Sequence, residues 1–210
     1  MFLDELPEYR RDVLEALRQP LEDGFVTITR VSAQSTYPAN FVLVCSMNPC
    51  PCGNLGSRTQ ACRCTPAQVR RYLNRISGPL LDRIDMHIEV ESIPAERLSR
   101  EGGEESSEEI RRRVEAARQV QRERYANDPE GIRINAQLSA RNLNAACKMT
   151  PDAREMLLLS CEKLNLSNRA YTRILKVART IADLEGAQEI GCEQISEAVQ
   201  YRTLDRKYWE

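Results

Sequence analysis

Apolar positions in the first half of the chain change period repeatedly, whereas those in the second half keep a helical period throughout. From Pro7 to Asp23, Tyr9, Val13, Ala16, Leu17 and Leu21 fall on one face of a predicted helix that Gly24 closes. Phe25 to Ser32 alternates as a strand, Gln34 to Asn40 reads as turn-rich, and a hairpin is expected here with Arg30 near its tip. Phe41 to Ser46 is a short apolar run suited to a buried parallel strand. Thr65-Pro66-Ala67-Gln68 combines an N-cap, a proline at the first helical position and a capping-box glutamine. Val69, Tyr72, Leu73 and Ile76 give the helix that follows its inward face. Met86, Ile88 and Val90 alternate with His87 and Glu89, which predicts another strand with His87 outward at the surface.

Arg100 to Ser107, with its Gly-Gly pair and acidic residues, reads as a linker. Beyond it Ile110, Val114 and Ala117 mark a helix laced by Glu108 to Arg112 and Glu109 to Arg113 at i,i+4. Thr150-Pro151 opens a second, with Ala153, Leu157, Cys161 and Leu164 inward. Ser167 caps a third, where Tyr171, Ile174, Leu175, Ala178, Ile181 and Ala182 face the core until Gly186. Ile195, Ala198 and Val199 define a last helix. The fold class is therefore α/β followed by all-α, with expected domains 1–104 and 105–210.

A net charge of -1 argues against a uniformly basic nucleic-acid binder and leaves room for local basic faces. Arginine supplies 26 of the 30 basic residues, a bias that suits phosphate forks and ion pairs and equally reflects base composition. No apolar run reaches the ~18 residues of a membrane span, and the first residues lack a signal-peptide core, so the expected setting is cytoplasmic with no membrane partner. In that setting the eight cysteines are expected to be thiols or metal ligands.

Several residues carry chemistry in this order. Asp4 and Glu5 end an apolar start and can hold Mg²⁺ and polarise water, although such a pair is also an ordinary solvated strand end. Asn48, at the tip of the Phe41–Ser46 run, can orient an attacking water or simply serve as a turn residue before Pro49. Arg83 either reaches a neighbouring subunit's nucleotide or pairs locally with Asp82 or Asp85. Arg169, Arg173, Lys176 and Thr180 recur at helical spacing, with Arg169 in the first turn, as a phosphate-facing stripe or a solvated face. No Gly-Lys pair occurs anywhere, so these 210 residues contain no phosphate-cradling P-loop.

Taken together, Phe2-Leu3-Asp4-Glu5, Met47-Asn48-Pro49, the run from Arg75 through Asp85 and the run from Ser167 through Leu184 resemble the magnesium chelatase-like AAA+ ATPases. Cys50-Pro51-Cys52-Gly53 narrows the likeness to their competence-protein branch. The resemblance implies the C-terminal part of an AAA+ P-loop NTPase core within 1–104 and a helical lid domain within 105–210. It assigns Asp4 and Glu5 to the Walker B pair, Asn48 to sensor 1, Arg83 to the arginine finger and Arg169 to sensor 2. It further implies ATP and Mg²⁺ as cofactors, a homo-oligomeric ring, expected as a hexamer, and DNA branch migration. Family members carry an S5-like domain and a Walker A loop before this point, so the chain is expected to be a C-terminal portion, inactive alone.

Cys50, Cys52, Cys62 and Cys64 form two C-x-C pairs separated by nine residues, which either close a tetrahedral zinc site or remain free or partly oxidised thiols. Zinc is the favoured reading. Cys45, Cys147, Cys161 and Cys192 read as packing residues. Arg30 near the hairpin tip, with Arg70, Arg71 and Arg75 on the helix after the cysteines, is the candidate DNA contact, against an ordinary solvated face. The resemblance supports the hairpin role, since related ring helicases point a basic hairpin residue into the channel. Two other readings stay open, a non-catalytic zinc-stabilised interaction module and a magnesium chelatase subunit.

Overall fold

The computed structural model describes residues 1–31, 33–57, 59–90 and 105–202, which separate into two compact units, one within 1–90 and one within 105–202. In the first, strand β1 (Phe2–Leu3) pairs in parallel with β4 (Val44–Cys45), Phe2 opposite Val44 and Leu3 opposite Cys45. The core beneath them is Leu6, Leu14, Ile76, Leu80 and Leu81, with Leu3, Leu17, Leu21, Cys45 and Met47 packed against it.

The single helix expected over 7–23 is two, α1 (Arg11–Ala16) and α2 (Arg18–Asp23). Pro20 is the cause: it has no N–H for the Ala16 carbonyl and its ring crowds that oxygen, so the chain turns at Leu17. The break rotates the buried face onto Leu14 and leaves Tyr9 and Val13 exposed. Gly24 ends α2 in the left-handed region at φ 72°, donating to the Pro20 carbonyl at 3.0 Å.

Strands β2 (Phe25–Arg30) and β3 (Ala33–Pro38) form an antiparallel hairpin closed by the Arg30–Ala33 pair. The segment read as turn-rich is thus mostly a strand, because six cross-strand partners, including Thr27 and Thr36 with hydroxyls 3.0 Å apart, override its weak local propensity. The buried strand expected over 41–46 shortens to two paired residues with Val42 77% and Val44 54% exposed. Residues 86–90 form no strand. Alternation alone makes one only where a ladder takes up the backbone groups, and no partner pairs with them among the described residues. Met86, Ile88 and Val90 are exposed and His87 is half-buried, not at the surface.

Helix α3 (Pro66–Leu73) has the expected capping box, the Gln68 N–H donating to Thr65 Oγ1 at 3.3 Å and the Thr65 N–H to Gln68 Oε1 at 2.8 Å. A short α4 (Gly78–Leu81) follows, capped by Ser77, and buries Leu80 and Leu81.

The second unit contains α5 (Ser107–Arg124), α6 (Ala140–Ala146), α7 (Pro151–Lys163), α8 (Asn168–Leu184) and α9 (Cys192–Gln200). Residues 100–104 of the expected linker lie outside the described residues, and Ser106 already caps α5 through a box with Glu109. That use of Glu109 turns Arg113 to Glu105 at 2.8 Å, while Glu108 and Arg112 approach to 3.8 Å. Ala117 is buried but Ile110 and Val114 are exposed, so only the C-terminal half of α5 is packed. Thr150 and Ser167 cap α7 and α8 as expected. The core is built on Leu157, Ile174, Leu175, Ala178, Ala182, Ile190 and Ile195. No helix among the described residues is long and apolar enough to cross a membrane.

Within this unit a buried polar cluster centres on Asp183. Its Oδ1 accepts from Arg124 and, at 3.1 Å, from Arg179; its Oδ2 accepts from Arg124 at 2.8 Å and from Asn135 Nδ2 at 2.8 Å. Arg179, 1% exposed, also donates to the Gln188 and Ala187 carbonyls. Asn135 Oδ1 accepts from the Tyr125 hydroxyl at 2.7 Å. Both carboxylate oxygens are fully used, and the second arginine's remaining donors go to the Ala187 and Gln188 carbonyls, so α5, α8 and the segment around Asn135 are joined through satisfied hydrogen bonds. Asp183→Ala is expected to destabilise this unit by about 3–5 kcal/mol, because two arginines lose their counter-charge. Urea denaturation followed by circular dichroism measures it.

Candidate functional site

The β1–β4 pairing sets two strand ends side by side. Asp4 and Glu5 follow β1, Ser46 follows β4, and Asn48 stands two residues further on; Asp4, Glu5 and Asn48 are all exposed. Ser46 Oγ donates to Asp4 Oδ1, which also accepts from the Glu5 N–H at 3.1 Å. The backbone of Ser46 donates to the Leu3 carbonyl at 3.0 Å and accepts from the Leu6 N–H at 2.9 Å. Glu5 adopts φ 51°, ψ 51°, a left-handed conformation that costs a residue with a Cβ roughly 1–2 kcal/mol. The structure thus sets Asp4 and Glu5 against Ser46, whose only signal was a hydroxyl at a strand end, and leaves Asn48 exposed two residues beyond it.

Behind Asn48 the chain enters the cysteine loop. Gly53 has φ 77°, and a Cβ there would lie 3.8 Å from Asn48 Oδ1. Burial pushes the Tyr72 phenol on α3 up, opposed by a hydrogen bond with the Asn48 backbone. The sulfurs of Cys50, Cys52, Cys62 and Cys64 lie within 4.8 Å of one another. Cys50–Cys52 is 3.4 Å, Cys52–Cys62 3.6 Å and Cys50–Cys62 3.7 Å. A tetrahedral ion with metal–sulfur bonds of about 2.3 Å has sulfur–sulfur edges of about 3.8 Å, so the array fits a closed four-thiolate site. Backbone N–H groups of Arg63 and Asn54 bring the Cys52 thiol down to about 6, whereas desolvation and the neighbouring sulfurs push Cys64 up to about 12. Cys50 is fully buried.

Arg83 departs from expectation. Instead of projecting outward it is buried, its side chain 7% exposed, ion-paired with Glu22 and donating to the Pro79 carbonyl at 2.7 Å and the Arg18 carbonyl at 3.1 Å. Its partner is neither Asp82 nor Asp85 but a residue of α2, because the turn after α4 aims the side chain back across the unit.

Arg30 is exposed at the closing pair of the hairpin, and Arg70 and Arg71 are exposed on α3. Arg75 is instead held by the Pro7 carbonyl at 2.9 Å and Glu8 at 3.0 Å. In the second unit Arg169 is exposed in the first turn of α8. Lys176 donates to the Ala136 carbonyl at 2.9 Å and Thr180 accepts from Asn135, so the lower part of the expected stripe packs on its own unit.

Two sequence families match, described as magnesium chelatase, subunit ChlI, over residues 1–98, and its C-terminal part over 104–202. Competence protein ComM of Haemophilus influenzae is 45% identical over 207 residues, 98% of this chain and 39% of that protein. YifB of Escherichia coli, uncharacterized, is 43% identical over the same length and shares. The uncharacterized Rv2897c of Mycobacterium tuberculosis is 39% identical over 204 residues, 96% of this chain and 39% of its own. The chain therefore spans about two fifths of the length of the curated relatives it matches, 39% in each case.

Arg83→Ala is expected to lower the stability of the first unit by about 2 kcal/mol, two carbonyls losing their donor while solvent screens the half-exposed Glu22. An unchanged urea midpoint would contradict the buried placement.

Proposed function

Because the chain belongs to the magnesium chelatase subunit ChlI family, we propose that it forms the part of an AAA+ ATPase that carries the acidic pair, the sensor asparagine and the helical lid. The observation that carries this reading is the parallel β1–β4 pair, which leaves Asp4, Glu5 and Asn48 exposed at neighbouring strand ends. A Mg²⁺-nucleotide fits them: Asp4 Oδ2 has no protein donor among the described residues, and two further polar side chains face solvent beside it. Bound there, it supplies the phosphoanhydride whose cleavage drives motion. Asp4 holds the cation, Glu5 polarises the attacking water and Asn48 orients it. In this reading Arg169, exposed in the first turn of α8, is the sensor 2 arginine, a guanidinium suited to phosphate. Arg83 braces α2 against α4, and a role for it in a neighbouring subunit's site requires breaking its three hydrogen bonds.

In a protein of the relatives' full length, the same reading gives a homo-oligomeric ring, a hexamer, that hydrolyses ATP in the cytoplasm and moves branched DNA during recombination. The similarity to a competence protein supports it, as do the exposed Arg30, Arg70 and Arg71. The 210 residues by themselves, which contain no Gly-Lys pair, act as a metal-stabilised module without turnover. Cys50, Cys52, Cys62 and Cys64 hold one Zn²⁺ with no open coordination position, a structural role in a loop whose only buried cysteine is Cys50.

Three outcomes follow. In the longer protein Glu5→Gln is expected to lower ATP turnover by about a hundredfold or more with nucleotide binding retained, whereas turnover by the 210-residue chain that Glu5→Gln abolishes would overturn the inactive-module reading. Elemental analysis is expected to give about one zinc per chain, lost in Cys50→Ser; a metal-free chain with a folded loop refutes the site. Arg30→Ala is expected to weaken DNA binding and flatten its salt dependence by about one unit of slope, and wild-type binding across a salt series removes the hairpin from the interface.

A further inference from the structure

Ser46 makes contacts that its position in a strand end does not require. Its backbone continues the β1–β4 ladder through Leu3 and Leu6, as any residue there would. Its side chain does more: the hydroxyl hydrogen goes to Asp4 Oδ1, and the oxygen accepts from the Glu5 N–H at 3.4 Å. One hydroxyl therefore touches both members of the acidic pair, a carboxylate on one side and the left-handed Glu5 backbone on the other.

We propose that Ser46 is a positioning residue that fixes the rotation of the Asp4 carboxylate, keeping Oδ1 turned to the protein and Oδ2 outward for a divalent cation. The proposal rests on the reading of Asp4 and Glu5 as the Mg²⁺-binding pair. An exposed carboxylate without such a donor rotates about its terminal torsion and must be ordered when the cation arrives. Asp4 Oδ1 already accepts from Glu5 N–H, but that donor lies on the adjacent residue and moves with it. Ser46 ties the carboxylate to the other strand, and so to the ladder that is anchored in the core through Leu3 and Cys45. The same hydroxyl also accepts from the Glu5 N–H and so supports the left-handed backbone at Glu5.

The test uses Mn²⁺ with ATP in a protein of the relatives' full length carrying this segment, with bound Mn²⁺ read by electron paramagnetic resonance. Removing a hydrogen bond to a charged group is expected to weaken Mn²⁺ binding about tenfold in Ser46→Ala. Ser46→Thr, which keeps the hydroxyl, restores it. The melting temperature and the affinity for metal-free ATP stay near wild type in both. Unchanged Mn²⁺ binding in Ser46→Ala, alongside a loss in Asp4→Asn, overturns the positioning role and leaves the acidic-pair reading standing. A fall in melting temperature that accounts for the Mn²⁺ loss also overturns it, as does failure of threonine to rescue. Unchanged Mn²⁺ binding in Asp4→Asn overturns the acidic-pair reading itself.

Discussion

The parallel pairing of β1 with β4 is the constraint on which the first unit's chemistry depends. It involves only two residues on each strand, yet its register decides which side chains share an edge. A slip of either strand by one residue would move Ser46 away from Asp4 and turn that strand's Leu3 or Cys45 out of the core, because side chains alternate along a strand. Burial of Leu3, Cys45 and Met47 against Leu6, Leu14 and Ile76 therefore holds the register. Asp4, Glu5 and Asn48, beyond the paired residues, are exposed. Apolar packing thus positions the carboxylates without touching them.

Two other places in the molecule gather polar groups or sulfurs at one point. The loop over 48–64 buries one cysteine and little else, and four sulfurs converge in it. The segment from Tyr125 to Leu138 has little regular secondary structure; Tyr125, Ile132 and Leu138 pack into the core and Asn135 ties it to Asp183. In the first case four thiols that could hold a metal ion come together; in the second one carboxylate and two arginines organise the segment internally. The Asp183 cluster satisfies every strong acceptor at its centre, which is the condition under which buried charge does not unfold a small unit.

What was legible in the sequence was mostly local. The caps at Thr65, Thr150 and Ser167 are as read, because a cap is decided within three residues of the helix start. The C-x-C array was also visible, from its spacing. The helix break at Pro20 was equally local and was overridden by the apolar pattern around it. The β3 strand and the missing strand at 86–90 were not legible in the same way, since a strand exists only if a partner supplies its hydrogen bonds. Ser46 carried no pattern of its own, and α6 lies in a stretch whose short apolar content gives no clear helical period.

Charge was the least legible property, because arginines with different fates look alike in a sequence. Arg83, Arg124 and Arg179 bond to carbonyls or carboxylates inside their units, and Arg75 is taken up by the turn that follows Glu5. Arg30, Arg70, Arg71 and Arg169 are exposed. A guanidinium that is buried and multiply bonded contributes to the fold, and drawing it out to a ligand exposes unpaired acceptors behind it. One that is exposed orders less of its surroundings when a phosphate arrives. The difference is decided by whether an acceptor from a distant part of the chain, such as Glu22 opposite Arg83, lies within reach, and that is information only the folded chain contains.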